Sequence, residues 1–222
     1  MESIHFIGYH GTKCGYAKQI LEERHFKPSK KSSEWLGRGI YFFKDDVLQA
    51  LFFARARYSN EKYNIRVLKA RIESATYFDL TITKHRDSVY GMLSHVLEAL
   101  AGKNPKLYKV IVSHFPELKD GLKEHASEGY VLDLMYRIKP YDLVICPYEV
   151  PKQKAKQAFR FKPTQMQVCI KDDCCINYDS LEEVSKSEYS PIWKGVPWTF
   201  GTNDCGGIKS YIWGYIWFKT SR

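Results

Sequence analysis

Trp35-Leu36-Gly37-Arg38-Gly39-Ile40-Tyr41-Phe42-Phe43 is the stretch on which the fold turns. Two glycines one residue apart let the backbone bend and approach a ligand without a side chain intervening, and they lead into an apolar run with the length of a short buried strand. Lys44-Asp45-Asp46 then supplies a helix start, followed by Val47, Ala50, Leu51 and Ala54 at helical spacing. The unit is turn, strand, helix. A dinucleotide fingerprint places its glycines after a strand and at the opening of a helix, with a third glycine. Here the glycines precede the strand and the third is missing, which excludes a Rossmann arrangement.

Upstream, Ile4 to Tyr9 has the pattern of a first strand, ending at His10-Gly11-Thr12, and Ala17, Ile20 and Leu21 mark a helix that packs back on it. His10 is thereby expected in a strand-to-helix corner. A polar, basic loop from Phe26 to Ser33 leads into the glycine stretch. Downstream, a helix is expected to end near Ser59, the alternation from Ile65 to Ile72 predicts a half-buried strand, and Tyr77-Phe78-Asp79-Leu80 closes that unit. Val89, Leu93, Val96, Leu97 and Leu100 predict a helix from Asp87 to about Gly102, and a shorter one spans Leu107 to His114. These helices form an insertion at about 85–128, in which His95 and His114 read as structural.

Asp142 to Cys146 is a buried strand candidate ended by Pro147. The segment Lys152 to Lys162 then contains five basic residues, two phenylalanines and no acid. The strand Gln165-Met166-Gln167-Val168-Cys169-Ile170 follows, with Gln165, Gln167 and Cys169 on one face and Met166, Val168 and Ile170 on the other. An aromatic-rich extension at about 185–222 carries Trp193, Trp198, Trp213 and Trp217, with Tyr211 and Tyr215 among them. Packing of a terminal strand explains that alternation, and a partner site is the alternative.

The chain of 222 residues is long enough for one domain with a sizeable core. Its net charge of +9 predicts attraction to nucleic acid, an acidic protein surface or a nucleotide. Cys14, Cys146, Cys169, Cys174, Cys175 and Cys205 lack the spacing of a zinc site or a disulfide framework, so reduced thiols and no metal are expected. No signal peptide or membrane-spanning stretch is legible, and a soluble, cytoplasmic protein is the expectation.

Tyr9-His10-Gly11-Thr12 after the first strand, Gly39-Ile40-Tyr41-Phe42 some thirty residues later, and Gln165-Met166-Gln167 opening a late strand stand in an informative order. The chain resembles the ADP-ribosyltransferases of the poly(ADP-ribose) polymerase and diphtheria-toxin lineage, whose His, Tyr and Glu lie on three separate strands. The resemblance covers the first sixty residues well and Asp142 to Ile176 loosely. It implies an α+β fold: a split mixed β-sheet core with flanking helices and a helical insertion, all within a single domain.

The resemblance also implies NAD as co-substrate. His10 would hydrogen-bond the adenosine ribose, Gly11 would clamp the nicotinamide amide through its backbone, and Thr12 is the small hydroxyl residue beside it. Tyr41 would stand against the nicotinamide ring and Phe52 would be a second stacking aromatic, while Arg38 and Gln165 complete the NAD-binding set. The family's glutamate is replaced by Gln167, with Gln165 on the same face.

Breaking the nicotinamide glycosidic bond builds positive charge on the ribose while a neutral ring departs, so the site must hold the ring and stabilise an oxocarbenium-like sugar. A glutamine can hydrogen-bond the ribose hydroxyl but cannot act as a general base. Single transfer is therefore favoured over chain elongation, with an acceptor that is intrinsically nucleophilic or activated by another group such as Glu149.

Lys152, Lys154, Lys156, Phe159, Arg160 and Lys162 suit a phosphate backbone with a stacked base and point to a nucleic-acid acceptor, with RNA or single strands favoured. A solvated loop, or one that neutralises the NAD pyrophosphate, is the alternative. Small enzymes of this kind resemble bacterial toxin-antitoxin and phage-defence toxins, which implies a neutralising protein partner. Protein-directed transfer, NAD hydrolysis, a non-catalytic NAD-fold module and an RNA-binding protein without NAD chemistry remain as rivals.

Overall fold

Among the described residues, seven strands are joined in one mixed sheet. They are β1 (Ile4–Lys13), β2 (Ile40–Lys44), β3 (Ile65–Ser74), β4 (Tyr77–Asp79), β5 (Leu143–Glu149), β6 (Thr164–Ile170) and β7 (Ile176–Glu183), in the spatial order β4-β5-β6-β2-β1-β3-β7. The computed structural model describes residues 3–31, 34–58, 64–121, 127–149 and 164–189. Neighbouring strands are antiparallel except β4 and β5, which are parallel. A mixed α+β architecture is the result. The segments Lys152 to Lys162 and Trp193 to Trp217, together with Cys205, lie outside the described residues.

The helices are α1 (Cys14–Glu23), α2 (Val47–Arg57), α3 (Thr83–Leu100), α4 (Pro105–His114), α5 (Ser127–Ile138) and the short α6 (Lys186–Tyr189). Local chemistry sets their starts: the Asp46 carboxylate accepts from Gln49 N, and Asn104 caps α4 ahead of Pro105. Helix α1 covers one sheet face, where Ala17, Ile20 and Phe26 join Phe6, Phe42, Leu68, Ile72, Ile145, Val168 and Ile170. The opposite face carries two clusters. Over β1 and β3, α2 packs Ala50, Leu51 and Ala54 against Phe43, Ile65 and Val67. Over β5 and β6, helices α3 to α5 bury Val96, Ile111, Val131, Leu132 and Leu134 with Val144 and Cys169.

Three expectations are corrected. Strand β1 does not stop at Tyr9, because β3 pairs with it over ten successive residues, so His10 lies in a strand and not in a corner. Pro147 does not end β5, which runs on to Glu149 with Pro147 opposite Met166. Strand β4 reaches only as far as Ile145, so at Pro147 the outer side of β5 demands no amide donor from a β4 partner. The helical region between β4 and β5 continues to Ile138, since α5 carries its own apolar face into the core. Strand β7, not anticipated from sequence, completes the sheet beside β3 through a register shift between Lys69 and Arg71.

Among the described residues, no helix is long and apolar enough to cross a membrane.

Candidate functional site

Strands β6, β2 and β1, which carry Gln167, Tyr41 and His10, are immediate neighbours. Strands β1 and β2 share only the register pairs Gly8–Lys44 and Tyr9–Phe43, whereas β1 and β3 share ten. Continuing the β1–β2 register would pair Gly11 with Tyr41, and that pair is missing. The direction of the Gly11 backbone follows from its neighbours. Ile7 exchanges hydrogen bonds with Asp45 on the β2 side, through Ile7 N to Asp45 Oδ1 at 3.0 Å and Asp45 N to Ile7 O at 2.8 Å. On the far side, Val67 O accepts from Val184 N, so Val67 turns away from its register partner Gly11. Antiparallel periodicity therefore aims both the N–H and the C=O of Gly11 toward β2, which supplies no ladder partner there. The result is a notch with a donor and an acceptor side by side.

His10 spans the notch. Its Nδ1 lies 2.8 Å from Tyr41 O. A carbonyl only accepts, so Nδ1 carries the proton and Nε2 of the neutral ring is an acceptor. The imidazole is wedged between Phe26, at 5.2 Å between centroids, and Phe42, at 5.7 Å. Burial, opposed by the bond to Tyr41 and helped by the Arg57 charge, lowers its pKa and keeps it neutral. Gly11 is required sterically: an added Cβ would strike Ala50 O, because α2 lies directly over it.

The Leu36–Arg38 turn is the opposite case, with its polar backbone groups engaged. Tyr41 Oη accepts from Leu36 N at 3.2 Å and donates to Gly37 O at 2.7 Å. Lys171 Nζ donates to Leu36 O and Arg38 O, both at 2.7 Å, and to Asp133 Oδ1 at 2.8 Å. Asp133 accepts from Arg38 N at 3.0 Å, and Gly37 N reaches Glu34 O at 2.7 Å. The Lys171 side chain is 2 % exposed and that of Asp133 is 7 % exposed. Gly37 sits at φ +75°, where a Cβ would strike Asp133 Oδ1. Burial, then Cys169 and Glu34, hold the Tyr41 phenol well above its ordinary pKa, so it is a neutral donor in this turn.

Both glutamines lie on the sheet face of Tyr41, as their alternation predicts, and both are buried. Their surroundings differ. Trp35 Nε1, a donor only, bonds Gln167 Oε1 at 3.0 Å, while the indole packs edge-on against Tyr148 at 5.1 Å. One lone pair of the Gln167 oxygen is thus engaged. Gln165 is 1 % exposed, and neither atom of its amide has a hydrogen-bond partner among the described residues. Such a group is costly unless something binds it. Cys169, with its thiol pushed up to about 11 by burial, and Cys146, pushed up to about 12, are inert packing groups.

Other expected residues are more widely placed. Thr12 is buried on the His10 face of β1. Arg38 is part-exposed, with Nε 3.8 Å from Asp133 Oδ2. Phe52 is half-buried two residues from Ala50 and Ala54, and Phe53 is the ring that meets Phe43, at 5.7 Å. Lys152, Lys154, Lys156, Phe159, Arg160 and Lys162, and the Glu149 side chain, lie outside the described residues. No group of His, Cys, Asp and Glu among the described residues could hold a metal.

Trp35, Asp133 and Lys171 were not singled out by sequence. The available signals were a tryptophan opening the decisive stretch, and an acid inside the apolar pattern of α5.

No family model matches the chain, and no solved structure matches it. The chain is 24% identical over 224 residues to the uncharacterised protein MJ0359 of Methanocaldococcus jannaschii, covering 87% of this chain and 97% of that protein. The similarity names no activity.

Proposed function

We propose that the chain is an NAD-dependent mono-ADP-ribosyltransferase built on a split-sheet core of the ADP-ribosyltransferase type. The observation that carries this reading is the missing Gly11–Tyr41 ladder pair bridged by His10. A primary carboxamide offers one acceptor and one donor in a plane, which complements the adjacent N–H and C=O of Gly11. Nicotinamide bears that group. With its amide held there, the glycosidic bond between the ribose C1′ and the ring nitrogen breaks, and its electron pair neutralises the departing pyridinium. The acceptor nucleophile bonds to C1′ and gives up its proton.

Gln165 is the better third position. Neither atom of its amide has a hydrogen-bond partner among the described residues, whereas the Gln167 oxygen already accepts from Trp35. Neither amide removes a proton, which favours a single transfer. The five basic residues of Lys152 to Lys162 favour a nucleic-acid acceptor, RNA above all. A cytoplasmic toxin or defence effector with a neutralising protein partner belongs to the same reading and rests on the sequence resemblance alone.

The test is nicotinamide release from labelled NAD, with protein alone and with RNA, DNA or lysate protein added. Acceptor-dependent release that disappears in Gln165→Met is expected. Acceptor-independent release would make the protein an NAD hydrolase, and no release under any condition would overturn the assignment in favour of a binding module, which the absence of a carboxylate at these two positions also permits.

A further inference from the structure

Helix α4 has two sides, and the core uses one of them. Ile111 is fully buried, and Leu107 and Tyr108 pack beside it in the cluster over β5 and β6. The outer side consists of Lys106, Lys109, Val110 and Ser113, which share a face by their i, i+3, i+4 and i+7 spacing, and all four are exposed. Lys103, exposed just ahead of the Asn104 cap, extends that row. At the far end of the helix, Arg137 of α5 places its Nη1 3.5 Å from His114 Nδ1 and adds a further cation.

The lysines of this face are uncompensated. No acid stands between Glu98 and Glu117 in the sequence, and Glu98 itself turns to His95, at 3.7 Å. Among the described residues, Lys103, Lys106 and Lys109 make no salt bridge. A helix dipole favours acids in the first turn, yet α4 has none there and carries Lys106 instead. A surface kept merely soluble intersperses both signs of charge. The outer face of α3 is of that kind, with Lys84, Asp87 and Glu98 all exposed.

The chemistry of the face selects among anionic partners. An anionic membrane surface takes helices that also insert an apolar side, and the apolar side of α4 is already in the core. A folded acidic protein builds its interface around an apolar centre with charges at the rim, whereas the middle of this face is lysine and serine. A nucleic-acid strand needs neither. Its repeating phosphates accept from repeated ammonium groups, and Lys106 and Lys109, about 4.5 Å apart along the helix axis, carry flexible stems that reach neighbouring phosphates.

We propose that the outer face of α4, with Lys103, Lys106 and Lys109 in a row and Arg137 at its end, is a docking surface for the phosphate backbone of a nucleic-acid strand. The inference requires no NAD chemistry, and it rests on the transferase reading only in making the docked strand the acceptor. Contacts to phosphate carry affinity and register but no base sequence.

The test is fluorescence anisotropy of a labelled single-stranded RNA of mixed sequence, and of the matching DNA, titrated with full-length protein at several salt concentrations. Alanine is a strong helix former, so Lys106→Ala/Lys109→Ala should leave α4 intact, and thermal melts check this. That double variant should weaken RNA binding about tenfold or more at low salt. It should also reduce the slope of log affinity against log salt by about 1.4, two phosphate contacts' worth for a single strand. The DNA should respond in the same way, because the contact is to phosphate. Lys18→Ala/Lys27→Ala removes equal charge from exposed positions on and just after α1, across the sheet, and should leave affinity and slope nearly unchanged.

A wild type that binds neither strand, or a Lys106→Ala/Lys109→Ala protein with wild-type affinity and slope, would overturn the inference. Equal losses in the two double variants would assign binding to net charge and overturn it as well. If the α4 variant lost phosphatidylserine vesicles and kept RNA, the face would belong to a membrane and the inference would fall. Binding lost in the α4 variant, with no nicotinamide release by the wild type, would keep the surface and remove the transferase. RNA-stimulated release with binding unaltered in that variant would keep the transferase and remove the surface.

Discussion

Two regions that share Tyr41 treat their backbone polar groups in opposite ways. Around Leu36–Arg38, Tyr41 of β2, Asp133 of α5 and Lys171, the residue after β6, engage the main chain, and a lysine–aspartate pair has been taken into the core to do it. At Gly11, the sheet gives up a ladder pair that its own register predicts. The difference separates a rigid support from a binding edge. Buried backbone groups are nearly always satisfied, so a strand that withholds a pair is where a ligand would complete the set, and Gln165, on β6, is a second polar group without a partner among the described residues. The clamp steadies one wall of that edge, because Tyr41 belongs to both regions.

The comparison breaks most severely at the clamp. Gly37→Val should destabilise by about 4 kcal/mol or more, through its positive φ and the clash with Asp133, and denaturant unfolding would measure the loss. Lys171→Met leaves Asp133 buried without its partner and should cost about 3–5 kcal/mol, much of it recovered in a Lys171→Met/Asp133→Leu double variant. Recovery in the double variant would show that the ion pair, and not Lys171 packing, sets the single-variant loss. Tyr41→Phe removes the hydroxyl that serves Leu36 N and Gly37 O and should cost about 1–3 kcal/mol.

At the binding edge the sign reverses. Gln165→Met replaces a buried amide without partners among the described residues by an apolar side chain of similar length, and should stabilise the free protein by about 1 kcal/mol; on the proposed function it should also abolish nicotinamide release. A loss of stability there would mean that Gln165 is structural.

The smallest effect concerns acid. Half-buried His10 binds its proton less readily in the folded chain than in the unfolded one, so the unfolded state takes up more protons as the pH falls. Stability contributed by the neutral ring is present above the ordinary imidazole pKa and is lost as the pH drops through that value toward the lowered one. His10→Gln should therefore lose less melting temperature between pH 7.5 and 5.5 than the wild type, as parallel thermal melts at the two pH values would show.

Much of the sheet was legible from local pattern. Gly39-Ile40-Tyr41-Phe42 gave β2, Asp46 gave the start of α2, and the alternation from Gln165 to Ile170 placed both glutamines on one face, as found. What escaped was long-range. The strand continues through His10 because β3 pairs with it, β5 survives Pro147 because β4 stops short, and Asp133 and Lys171 meet across 38 residues. A distribution of apolar residues reports which face of an element is buried, and it is silent about what the other strand or helix brings to that face.

By itself, then, the sequence determined the residue types at the site and the faces they occupy, because side-chain direction follows from the periods of strand and helix alone. Only the tertiary structure decided that β1 and β2 part at Gly11, and that Trp35 bonds Gln167 while Gln165 has no partner among the described residues. Each of these depends on where elements distant in the chain come to rest, and that is set by burying the whole core at once.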